Sequence, residues 1–254
     1  MGTVFIDKDA DFSAHSVGIV AVQATSVSQN LRCLFDIYGS AQIAGRNLAG
    51  GPAASISGGA VFTAKHMAVS TAKQFVAPVG PAGTTGAVKT GFTIALVLKI
   101  GAASGQYPVG SFNNASTEGA VYFQNDGSQI GFYGTSSTSP VNGGPLSNNT
   151  FAFVPVATQD QQDQRYELFF GTVDPVADTI KVYRPRTGSS ATGSPPSGSH
   201  LVYNGPSWGM SALGSNFGAI VALFADWNRI LTDAERATFY AEMQERLAKR
   251  GVAI

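Results

Sequence analysis

Carboxylates are the residues of this chain with the most obvious catalytic potential, and their spacing argues against it. Glycoside hydrolysis takes a pair of carboxyl groups flanking the scissile bond, and strand alternation would set two such groups on one face at positions i and i+2. The chain has five Glu: Glu118, Glu167, Glu235, Glu242 and Glu245. The last three fall in a C-terminal helical pattern, Glu118 falls in a loop, and Glu167 stands alone on its strand. Asp160 and Asp163 sit in a Gln-rich turn and are expected to be solvated. His15, His66 and His200 are scattered, and Cys33 is the single cysteine, so no zinc-ligand spacing is spelled out. No Walker loop is present either. The expectation is a protein that is not an enzyme and has no catalytic residues.

Binding is the better prospect. Sugars are gripped by an aromatic ring under an apolar face, with amide groups on the hydroxyls. Trp208, in Asn204-Gly-Pro-Ser-Trp-Gly-Met210, is flanked by turn formers. It is a candidate contact together with Asn204, with a core or subunit-interface position as the alternative. Tyr107 and Tyr133 lie beside Gly-rich turns and complete the ligand-binding candidates. Asn125-Asp126-Gly127 could supply oxygen ligands to calcium, although a tight turn explains the same residues without metal. No other cofactor is expected.

Composition narrows the class further. At 254 residues with 44% hydrophobic content, the chain can bury the core of one large sandwich. Charged residues make up 13%, about half the usual share. Zero formal net charge leaves no basic stripe for nucleic acid and little repulsion against self-association. Cys33, between Leu31 and Phe35, reads as a small core residue. The start has no basic segment followed by an apolar run, and no stretch is long enough to span a membrane. The expectation is synthesis in a host cytoplasm without a signal peptide and no membrane insertion.

The elements that must position any site are strands. Phe92, Ile94, Leu96, Leu98 and Ile100 alternate with Thr93, Ala95, Val97 and Lys99, as in a strand of a half-buried sheet. Segments 120–124 and 129–133 flank Asn125-Asp-Gly127 as a hairpin, and 166–173 with 179–183 form a second one. Phe151 to Val156 is strand-like, but Pro155 cannot donate to a ladder, which puts it at an edge or bulge. Residues 134–150 and 187–199 are rich in small polar residues and read as exposed loops. The convincing helix is 232–250. Thr232 and Glu235 make a capping box, Phe239, Met243 and Leu247 make a stripe, and Gly251 stops it. Its stripe could cover the end of a sandwich or pack against a symmetry mate. Residues 1–18, with Val4, Phe5, Ile6 and Phe12 among charged neighbours, read as a docking arm to a single domain over 19–254.

Four segments, in order, carry a family resemblance: Gly58-Gly-Ala-Val-Phe62, Phe92 to Lys99, Tyr166 to Tyr183, and the close Ala219 to Tyr240 with Trp227-Asn-Arg229 and Leu231. Together they resemble concanavalin A-like lectin and glucanase jelly rolls, the laminin-G-like group, over roughly residues 30–250. The resemblance implies an all-β sandwich of two antiparallel sheets with one C-terminal α-helix, Trp227 in the core, and Arg229 bonded to backbone or a carboxylate. Asp7 to Ser13 and the long final helix look like versions found in bacteriophage tail-fibre and other virion proteins. That implies a virion location, a homotrimer, other virion proteins as partners, and a host-surface glycan as ligand. A capsid-decoration or tail-adaptor subunit using the fold only for contacts is the alternative. A glycan-active hydrolase or lyase is a lesser one.

Overall fold

The computed structural model describes residues 25–57, 59–68, 75–80, 90–101, 106–112, 120–138, 148–203, 207–210 and 219–254. The docking arm, including Val4, Phe5, Ile6 and Phe12, lies outside the described residues. In chain order the strands are β1 (Leu31–Asp36), β2 (Ser55–Ile56), β3 (Val61–Phe62), β4 (Met67–Ala68), β5 (Phe75–Ala77), β6 (Phe92–Lys99), β7 (Gly110–Phe112), β8 (Ala120–Asn125), β9 (Gln129–Ser137), β10 (Asn148–Pro155), β11 (Tyr166–Asp174), β12 (Thr179–Arg184), β13 (Ser189–Gly193), β14 (His200–Val202), β15 (Trp208–Met210) and β16 (Ile220–Trp227). Among the described residues there are also three helices: α1 (Ala41–Ala44), α2 (Thr158–Gln162) and α3 (Asp233–Ala248).

The strands form a sandwich of two antiparallel sheets. Sheet A runs β13-β12-β11-β6-β16-β4-β3, with β1 also paired to β16, and sheet B runs β10-β9-β8-β7-β15-β5-β2, with β14 beside the end of β9. Large apolar side chains meet between them, Phe92, Phe169 and Phe224 from sheet A against Phe75, Phe123 and Phe132 from sheet B. Burying one such ring stabilises the fold by about 1.5–3 kcal/mol. Both expected hairpins form, and Gly127 closes the first with a φ of 91° that suits glycine. Pro155 ends β10, the edge strand of sheet B, where a missing N–H costs nothing.

The final helix begins as its sequence predicts. Thr232 accepts from the Glu235 N–H, and the Glu235 side chain accepts from the Thr232 N–H. Its position differs from expectation: α3 lies across the outer face of sheet A, not over an end of the sandwich. Phe239, Met243 and Leu247 pack on Ala95, Val97, Leu168, Phe170, Leu223 and Trp227. This second core corrects the half-buried reading of β6, which is buried on both faces from Phe92 to Leu98. Ala95 and Val97 are apolar because they face a helix. Two assigned loops also shorten. β9 runs on to Ser137, and Ser189–Gly193 pairs with β12 as an edge strand despite its polar composition. Backbone pairing asks little of side chains on an edge, and Ser190 and Thr192 point to solvent.

Trp227 is fully buried, its indole N–H donates to Val27 O at 2.7 Å, and its ring meets Phe239 edge-on. Arg229 reaches both Glu235 oxygens, at 2.8 and 2.6 Å, and the Gln29 carbonyl at 2.9 Å. The closing motif therefore ties the strand, the helix cap and the incoming N-terminal segment together.

Candidate functional site

With α3 over sheet A, the outer face of sheet B is the aromatic one. Along β8 and β9, residues of alternate parity point inward as Val121, Phe123, Ile130 and Phe132, leaving Tyr122 and Tyr133 outside. Register then aligns Tyr122, Tyr133 and Phe151 as direct neighbours across β8, β9 and β10. The two tyrosine rings stack at 4.9 Å with 7° between planes. Tyr107 meets Tyr122 edge-on at 5.5 Å, and Phe153 meets Tyr133 edge-on at 5.2 Å. Phe151 packs on Phe153 and remains 52% exposed. The row below pairs Gln124 with Gly131 and Gly131 with Phe153. A Cβ at Gly131 would sit 2.5 Å from the Phe153 ring, so the bare glycine is what lets that ring lie over β9.

The rim is polar. Asp126 accepts from the backbone and side-chain N–H groups of Gln129. Burial, helped by Tyr107 and Tyr133, pushes the Tyr122 phenol up to about 12, and burial with Asp126 and Tyr107 does the same to Tyr133. Both hydroxyls stay neutral near pH 7 and can donate as well as accept. The surface offers apolar ring area, phenol hydroxyls, amide groups and the Asp126 carboxylate at its rim, a set with the chemistry to hold a polar ligand by an apolar face.

Tyr107 and Tyr133, candidates from the sequence, are brought together here through Tyr122. Phe151 and Phe153 were missed. Their signal was the Phe-Ala-Phe-Val run, apolar on both strand faces beside an edge-marking proline. Trp208 requires a correction: it is fully buried between Phe92 and Phe224, with its indole N–H given to Asp226 at 2.8 Å. Gly and Pro around it are turn formers in sequence, but the ring itself faces the core. Asn204 lies outside the described residues. Gly205-Pro-Ser-Trp-Gly209 has the spacing of a nucleophile elbow, but Ser207 leads into strand β15 instead of sitting at a strand-to-helix turn. At the turn proposed for calcium, Asn125 is buried, with Oδ1 accepting from Gly127 N and Nδ2 donating to Gln106. Asp126 Oδ1 and Oδ2 both accept from Gln129, so the turn already uses these oxygens. Among the described residues no three His, Cys, Asp or Glu gather as a metal site, and no helix is long and apolar enough to cross a membrane.

The carboxylates also need correction. Glu167 is not alone and Asp160 is not solvated: both are buried against Arg184. Arg184 reaches Glu167 Oε2 at 2.5 Å, Asp160 Oδ2 at 2.6 Å and Pro155 O at 2.8 Å, while Arg186 spans the same two carboxylates. Burial alone would raise the Asp160 carboxyl, but hydrogen bonds from both arginines outweigh it and hold the group below its usual range. Two carboxylates neutralised by two guanidiniums are a structural joint between sheet A and the end of β10. A charge at position 167, on the parity of Phe169, was the sequence signal.

No protein-family model matches the chain, and no curated protein matches it in sequence. Solved structures do. The chain is similar to the receptor-binding domain of botulinum neurotoxin D, with TM-score 0.63, 9% identity, and coverage of 87% of this chain and 55% of that one. A botulinum neurotoxin G receptor-binding domain gives TM-score 0.58 at 12% identity, over 85% of this chain and 52% of that one. A botulinum neurotoxin D ligand-binding domain in complex with N-acetylneuraminic acid gives 0.59 at 9% identity, over 87% and 53%. The likeness is one of fold. It establishes the β-sandwich jelly roll, and the solved structures that share it are named as binding domains. The chain spans about half the length of the solved structures it matches, so the likeness carries no particular site.

Proposed function

We propose that this chain is a non-enzymatic, glycan-binding jelly-roll protein, with the aromatic face of sheet B as its contact surface. The observation that carries the reading is the alignment of Tyr122, Tyr133 and Phe151 on the outer face of sheet B, which no helix covers among the described residues. Phe151 offers an open ring to the C–H face of a sugar. The Tyr hydroxyls, Gln124 and Gln129 stand beside it for hydroxyl groups. A sugar ligand named for a protein of similar fold supports the same class of ligand. The sequence resemblance adds the setting: a bacteriophage virion, a tail-fibre or receptor-binding subunit, a homotrimer, and docking through residues 1–18.

One observation favours a second reading. Tyr122 and Tyr133 stack on each other, so they occupy one another's faces and leave mainly edges to a ligand. A flat surface of that kind also suits a protein contact, as in a capsid-decoration or tail-adaptor subunit. A glycan array read with the native protein and with Phe151→Ala separates the two. Binding to defined glycans that the substitution abolishes supports the lectin reading. An empty array, with a trimer in light scattering that Phe151→Ala dissociates, supports the contact-only reading.

A further inference from the structure

A separate cleft of about 330 Å³ opens on the outer face of sheet A, beyond the N-terminal end of α3. That size is at the small end of ligand clefts, which run ~300–1,000 Å³. Its floor is one in-register row: Thr172 of β11 faces Lys181 of β12, which faces Thr192 of β13. All three point away from the sandwich core, since Val173, Ile180, Val182 and Ala191 take the inward positions. Ile230, 39% exposed, forms an apolar wall. That wall is fixed in place, because the next residue, Leu231, donates its N–H to Oγ1 of the buried Thr93 at 3.0 Å, and Thr93 is the cross-strand partner of Thr172.

Charge in the cleft balances. Lys181 and Arg236 are matched by Asp174 and Asp233. Arg236 is committed to Asp233 and to the Leu231 carbonyl, and Asp174 Oδ1 accepts the N–H groups of Val176 and Ala177 in its own turn. The lining thus suits a neutral molecule. It combines hydroxyls that donate and accept, an ammonium that donates, and one apolar side. A pyranose ring has the complementary chemistry, with hydroxyls around its edge and C–H groups on a face.

We infer that this cleft binds one neutral pyranose, with Ile230 against the ring's C–H face and the Thr172–Lys181–Thr192 row on its hydroxyls. The site stands on the opposite sheet from the aromatic face and is independent of it. The test is an amide NMR titration of the whole chain with methyl glycosides of glucose, galactose, mannose and N-acetylglucosamine. Concentrations up to about 100 mM would saturate a millimolar site. Saturable shifts at Thr172, Lys181, Thr192 and Ile230 are expected with at least one glycoside. Lys181→Ala and Thr192→Val, both at the surface, should each weaken that binding by about tenfold, and Phe151→Ala should leave it unchanged. No saturable shift at these four residues overturns the inference, as does binding that both cleft variants leave intact. Shifts confined to the aromatic face would overturn the cleft while leaving the proposed function standing.

Discussion

Trp208 and Asp226 are joined across the sandwich. The indole Nε1 of β15 in sheet B donates to Asp226 Oδ2 of β16 in sheet A at 2.8 Å, and neither residue has any exposure. Arg32 completes the joint, donating to Asp226 Oδ1 at 2.7 Å and to the Gly80 carbonyl at 2.5 Å. A carboxylate in the core is tolerated only with such partners. Burial pushes its carboxyl up, against the pull of Arg32 and the indole N–H. Trp208→Phe keeps most of the apolar ring and removes the donor, and should cost about 1–3 kcal/mol in urea unfolding. A raised carboxyl favours the folded state below the unfolded value of 3.8 and weakens it as pH rises. The loss in Trp208→Phe should therefore be largest at neutral pH and shrink toward pH 3.8. A loss that does not change with pH would contradict this account.

Arg184 holds a second buried joint. Replacing it with Met leaves Glu167 with Arg186, itself partly exposed, and Asp160 with Arg186 and the more distant Arg165 at 3.8 Å. Stranding a buried charge typically costs about 3–5 kcal/mol. Denaturant unfolding of Arg184→Met should show a loss in that range, with glycan binding retained by the fraction that stays folded.

Gly131 decides the shape of the aromatic face. Gly131→Ala puts a methyl within 2.5–2.8 Å of the Phe153 and Tyr133 rings, which must move. The expected cost is about 1–3 kcal/mol in stability. Binding at the aromatic face should fall in the same variant, measured on glycans retained by the array. Unchanged binding would remove Phe153 and Tyr133 from the contact.

Acid should weaken the closing motif. Hydrogen bonds from Arg229, aided by Thr232 and opposed by burial, lower the Glu235 carboxyl from 4.5 to about 2. A lowered carboxyl contributes stability above its unfolded value, and that contribution is lost as pH falls through the folded one. Thermal unfolding of the native chain should therefore lose stability between pH 4.5 and about 2, and Glu235→Gln should flatten the profile in that window. Equal slopes in the two proteins would show that other carboxylates control acid unfolding.

Local order was legible in the residues themselves. Period-two alternation marked β6, and the intervening turn sequences marked β8 with β9 and β11 with β12 as hairpins. Asn125-Asp-Gly127 marked a turn that only positive φ satisfies, and Thr232 with Glu235 marked a helix start. Each of these signals acts between residues close in the chain, so composition and spacing are enough to read them. Contacts between distant residues were not legible. Nothing near Ala95 or Val97 says that a helix some 140 residues later will cover them. Trp208 looked exposed because its sequence neighbours are turn-forming residue types, and only sheet B facing sheet A puts its indole on Asp226. Asp160 and Glu167 looked unpaired until Arg184 arrived from the next strand. The aromatic face has the same origin. Tyr122, Tyr133 and Phe151 are 11 and 18 residues apart, and strand register alone makes them neighbours. Sequence alone determined the all-β class, the hairpins and the capped final helix, because hydrogen bonds and side-chain periodicity are local. The tertiary structure decided which side chains meet and which face of sheet A the final helix buries, because burial depends on what the rest of the chain brings against a surface.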